Sequence, residues 1–121
     1  MSVTSAAVGL YDFWNGFGIP AYPENMVPDD AVLPYITYDL RIPDWRGYTS
    51  YNARVWYHDT SVIPIMGKVQ QISDEIGEGK RIAIQGGSVF LFKDNLFFQM
   101  MPSEDEAIKI AYLSMVIHVL T

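Results

Sequence analysis

The chain has 121 residues, with eight Lys and Arg against 14 Asp and Glu for a formal charge of −6; half of it is hydrophobic, 14% aromatic and only 18% charged. That size and composition suit one domain with its own core and exclude a disordered chain, while the acidic balance disfavours electrostatic capture of DNA or of an anionic membrane. The absence of cysteine rules out disulfide frameworks, thiol nucleophiles and cysteine zinc sites.

The N-terminal stretch MSVTSAAVGLYDF has no basic region and no long apolar run, which predicts a soluble, non-secreted protein. Val3, Ala7, Leu10, Trp14 and Phe17 recur at helical spacing, with Ser2 or Thr4 as N-cap, so a first helix is expected to end near Gly16 or Gly18. From Phe17 to Leu40 the chain reads FGIPAYPENMVPDDAVLPYITYDL and holds four of the seven prolines. Proline fixes φ and donates no hydrogen bond, so the stretch ahead of Tyr35 is expected to be extended and irregular, and such long connectors usually bind something.

Tyr35 to Arg41 alternates: Ile36, Tyr38 and Leu40 face one way, Tyr35, Thr37 and Asp39 the other. Pro43, Asp44 and Gly47 break this strand, and Tyr48 to His58 predicts a long aromatic partner in a hairpin. Ser61 is placed to cap a second helix carrying Val62, Ile65, Met66, Val69, Ile72 and Ile76 and stopped by Gly77 and Gly79, with Pro64 in its first turn. Lys80 to Gln85 and Ser88 to Lys93 read as short strands joined at Gly86 and Gly87, and Asp94 with Asn95 marks a second possible turn before Leu96 to Met101. Ala107 to Leu120 is apolar on both strand faces, which predicts a strand that is central or packed against another chain. At about 13 residues its apolar run is shorter than the roughly 18 of a membrane span. The expected architecture is one α+β domain over residues 1–121, with two helices on one face of a mostly antiparallel sheet of four to five strands.

Catalytic chemistry finds little support. His58 and His118 are the only histidines, and neither stands at metal-motif spacing from carboxylates. His58 next to Asp59 could act as a polarised base, although a strand-terminal polar pair is the plainer reading. The acidic groups Asp29–Asp30, Asp74–Glu75–Glu78 and Glu104–Asp105–Glu106 sit at predicted turns or helix ends, where solvated charge belongs, with weak divalent-cation binding as the alternative. Gly86 and Gly87 lack a phosphate-cradle pattern, and Ser88 and Ser114 lack a nucleophile-elbow context. The pairs Trp56–Tyr57 and Phe97–Phe98 could stack bases, but without interleaved Lys or Arg they read better as core or interface. No catalytic, cofactor or metal residue is assigned.

The order of an N-terminal helix, the FGIPAYPENMVPDDAVLPYITYDL block, YNARVWYHDTS, a helix ending in DEIG, GGSVFLFKDNLFFQMM and the final IKIAYLSMVIHVL resembles the tail terminator, or tail-completion, proteins of long-tailed bacteriophages. Such proteins are close to those labelled minor capsid or head-tail joining proteins. The likeness covers nearly the whole chain and is most specific between Gly18 and Tyr38 and in VWYHDTS. It implies a subunit of the virion tail or neck, assembled in the host cytoplasm, that forms a hexameric ring on the head-proximal end of the tail tube. Such a ring ends tube growth, docks to the head connector and lets DNA pass through its lumen without specific binding. It implies no catalysis, no cofactor and no membrane. The alternatives are a neck protein that binds the connector, or a small enzyme or ligand-binding domain built on His58 and Asp59. Because aromatic residues and Met in extended segments favour interface centres, the candidate subunit contacts are Tyr22, Pro23, Met26, Val27, Trp45, Tyr48, Tyr51 and Trp56.

Overall fold

The computed structural model describes residues 3–43 and 47–120. Helix α1, Val3–Trp14, runs into a 3₁₀ turn at Asn15–Phe17 and is stopped by Gly18 at φ 83°, a left-handed conformation that glycine adopts without steric cost. Thr4 lies inside the first turn of α1 rather than capping it, and Ser2 is outside the described residues. Helix α2, Ile63–Ile76, takes Pro64 in its first turn. The N-cap is Val62, which makes no side-chain capping bond, rather than the expected Ser61, whose hydroxyl accepts the Ile63 N–H at 3.1 Å from one residue earlier.

Among the described residues six strands form one sheet: β1 (Ala21–Pro23), β2 (Tyr35–Tyr38), β3 (Tyr48–His58), β4 (Lys80–Ile84), β5 (Gly87–Met101) and β6 (Ile108–Leu120). Their spatial order is β1-β2-β3-β6-β5-β4. All neighbours are antiparallel except β1 and β2, which run parallel. The α+β class and the two helices are as expected, but the sheet is mixed and has six strands rather than four to five. The extra strand lies inside the proline-rich connector that the sequence marks as irregular. It is three residues long at a sheet edge, where proline is tolerated because the outer side needs no ladder donor. Asn15 closes that outer side, its Oδ1 accepting the Ala21 N–H at 3.0 Å while its Nδ2 donates to the Ala21 carbonyl.

Two strands differ from their sequence reading by more than one residue. β2 stops at Tyr38, although the Asp39 N–H still bonds the Asn52 carbonyl at 2.9 Å. β5 does not turn at Asp94–Asn95 but continues through it. Its register slips there, residues 93 to 98 on β5 spanning only 115 to 113 on β6, so the turn-forming pair sits in a bulge. The β4–β5 hairpin closes through Gln85 and Gly86, the latter at φ 85°.

Both helices pack on the same side of the sheet. α1 contacts β4 and β1, the two opposite edges, so the sheet curls around it, while α2 lies against β3, β5 and β6. The core between the layers holds Leu10 and Trp14 of α1, Ile65, Ile72 and Ile76 of α2, and Leu113, Met115 and Ile117 of β6, all essentially without exposed surface. Trp14 lies nearly parallel to the Tyr38 and Tyr51 rings, at ring distances of 6.2 and 6.4 Å, and its indole N–H donates to the Tyr51 hydroxyl at 3.1 Å. That bond satisfies the polar tips of two buried aromatic side chains at once.

Candidate assembly surfaces

Strand alternation sends every second residue away from the helices, and among the described residues no layer covers that outer face. On β6 the inward residues Ala111, Leu113, Met115, Ile117 and Val119 are buried, whereas outward Ile108, Ile110, Tyr112 and Val116 are half-buried and Leu120 is exposed. The final strand is central, as its two apolar faces predict, but among the described residues only one of those faces is covered.

Rings dominate the outer face. Near β1 and β2, Tyr22 meets Tyr35 edge-on at 5.7 Å, and Tyr35 lies 6.1 Å from Trp56. The Trp56 indole N–H donates to Thr37 Oγ1 at 2.9 Å, which fixes the ring against the sheet. Toward the other end of β3, Tyr48 stacks on His118 at 4.1 Å, and Phe90 and Phe92 continue the cluster. His118 Nδ1 lies 3.0 Å from the Gly47 carbonyl. A carbonyl only accepts, so this nitrogen carries the proton. Tyr48 is 67% exposed, while the other rings of these clusters are half-buried.

Arginine is interleaved with these rings. The Arg54 guanidinium sits 5.4 Å from the Tyr112 ring centre, a cation–π distance, and pairs with Glu24 at 2.7 Å. Arg41 bonds the Ser50 carbonyl and hydroxyl, each at 3.2 Å, and pairs with Asp39 at 3.4 Å. Burial raises the Asp39 carboxyl pKa more than the Arg41 cation lowers it. Arg81, on β4, donates from Nε to Ser88 Oγ at 2.9 Å and is in no ion pair among the described residues.

A second apolar surface lies on the far side of α1. Val3, Val8 and Tyr11 are exposed there, and Ala7, Val8, Tyr11, Pro23, Tyr38 and Leu40 line a shallow cleft of about 250 Å³. The connector beside it exposes Met26 (65%) and Val32 (78%) on either side of exposed Asp29 and Asp30. Large apolar side chains so exposed, grouped rather than scattered, mark contact surfaces more often than free ones.

The predicted contact residues divide between these places. Tyr22 and Trp56 come together through Tyr35 on the outer sheet face, and Tyr48 stands toward its other end. Pro23 belongs to the α1 cleft, with exposed Met26 and half-buried Val27 following it in the connector. Trp45 lies outside the described residues. Tyr51 is a correction: it points inward, has no exposed surface and holds the Trp14 indole, so it is a core residue. Burial above all raises its hydroxyl pKa well above the usual 10.0. Reading the strand alternation across β2, β5 and β6 would have added Tyr35, Phe90, Tyr112 and His118, which the aromatic pairs chosen by adjacency missed.

His58 is exposed at the end of β3, and Asp59 Oδ1 accepts the Ser61 N–H at 2.8 Å, so this carboxylate braces the turn into α2. The clefts of about 440, 380 and 250 Å³ are lined by other residues. Among the described residues no three His, Asp or Glu side chains gather as cation ligands, and no helix is long and apolar enough to cross a membrane. No protein-family model matches the chain, and neither a curated protein nor a solved structure is significantly similar to it.

Proposed function

We propose that this protein is a structural subunit of a phage tail or neck, forming a ring at the head-proximal end of the tail tube, where it ends tube growth and docks to the head connector. The observation that carries the reading is the outer face of the sheet, where Tyr22, Tyr35, Trp56, Tyr112, Phe90 and His118 form a ring-lined surface that no layer covers among the described residues. A different apolar surface lies along α1 and the connector. Two unlike patches on one subunit are what a head-to-tail contact requires, and a rotation that closes turns such contacts into a ring of fixed size. The resemblance in residue order to tail terminator proteins supplies the place of assembly, the hexameric count and the partners. The acidic chain also suits a lumen through which DNA slides without sticking.

Negative-stain electron microscopy of the purified protein, with and without tail tubes, tests the proposal. Rings that cap tube ends are the expected result. A protein that stays monomeric in both samples refutes it. Tyr48→Ala with Trp56→Ala is expected to leave a folded subunit that no longer caps tubes, because interface centres are built on such aromatic anchors. Normal capping by this variant removes the outer sheet face from the contact.

A further inference from the structure

We infer that the acidic connector of one copy docks on the Arg81 side of the outer sheet face of the next, with Asp29 and Asp30 meeting Arg81. The inference rests on the assembly reading above and specifies which two surfaces meet. Three of the four arginines stand at or reach over the outer face, Arg41, Arg54 and Arg81. Two are already paired within the chain, to Asp39 and Glu24. Arg81 is exposed and in no ion pair among the described residues, and its bond to Ser88 Oγ uses Nε, which leaves the outer guanidinium nitrogens to donate.

Asp29 and Asp30 are likewise exposed and in no ion pair among the described residues. The two groups cannot serve each other within one chain. The connector leaves from the β1–β2 edge, Arg81 is on β4 at the opposite edge, and α1 lies between those edges. The apolar surroundings match as well. Met26 and Val32 flank the aspartates with 65% and 78% of their surface exposed, and Phe90, Phe92 and His118 lie beside Arg81 by strand register, Arg81 pairing directly with Phe90. An acidic centre with greasy flanks thus faces a cationic centre with aromatic flanks, the complementarity that selects one docking partner over others.

Charge reversal with mixing tests the contact. Purified wild type, Arg81→Glu and the double variant Asp29→Lys/Asp30→Lys are compared by sedimentation velocity, with circular dichroism confirming the fold. All three positions are exposed, so folding is expected to persist. The expected result is a wild type that sediments as a closed oligomer, each reversed chain sedimenting as a monomer alone, and an equimolar mixture of the two regaining oligomers, since each reversed surface then meets its complement. Reversed chains that still assemble alone, or a mixture that stays monomeric, overturn the pairing while leaving the assembly reading standing. A wild type that stays monomeric even with tail tubes overturns both.

Discussion

Removing the Tyr51 hydroxyl by Tyr51→Phe probes the centre of the core with almost no change in shape. Trp14 and Tyr51 have no exposed surface, and the indole N–H donates to that hydroxyl at 3.1 Å. The variant leaves the indole donor buried without its acceptor, which costs about 1–3 kcal/mol. Unfolding entropy of about 2.1 cal/mol/K per residue gives about 0.25 kcal/mol/K for a chain of 121 residues, so a loss of about 2 kcal/mol lowers Tm by about 8 °C. The pH dependence runs the other way. Burial lifts the Tyr51 hydroxyl pKa well above 10.0, with Asp39 and Tyr38 adding to the rise and the Trp14 bond opposing it. A raised folded pKa gives stability that is complete below pH 10 and is lost as pH climbs toward the folded value, at about 1.4 kcal/mol per pH unit for each such tyrosine. Phenylalanine has no proton to lose. The deficit of Tyr51→Phe should therefore be full at pH 7 and shrink above pH 10, as measured by urea unfolding at a series of pH values. A deficit below about 0.5 kcal/mol at pH 7, or one that widens in alkali, would refute the account of Tyr51 as a buried, neutral acceptor.

Other substitutions test separate parts of the fold. A Cβ at Gly9 would come within 2.7 Å of Ile84 Cγ2 and 3.2 Å of Ile82 Cγ2, so Gly9→Ala should push α1 off β4 and cost about 1–3 kcal/mol in chemical denaturation. Ile117→Ala removes a fully buried side chain from the central strand and should cost about 2–5 kcal/mol by the same measurement. Asn15→Ala takes away both bonds that close the outer edge of β1. Amide exchange at Ala21 and Tyr22 should then accelerate about tenfold for each 1.4 kcal/mol lost locally, while exchange in β6 stays at its wild-type rate.

The sequence by itself determined the parts whose signal is local. The spacing of Leu10, Trp14 and Phe17 and of Ile65, Val69, Ile72 and Ile76 marks both helices, because one turn of helix brings those positions to one stripe. Tyr48–His58 was legible to the residue, and the two apolar faces of Ile108–Leu120 announced a central strand. What only the tertiary structure decided concerns partners distant in the chain. Ala21–Pro23 is a strand because Ile36 lies alongside it and Asn15 closes its outer edge, neither of which propensity can register among prolines. Asp94–Asn95 became a bulge rather than a turn because β6 continues to pair on both sides of it. Tyr51 and Trp56 illustrate the same limit at the candidate surfaces. Both are aromatic residues of one strand, yet their five-residue separation puts them on opposite faces, and which face is core depends on where α1 and α2 come to rest.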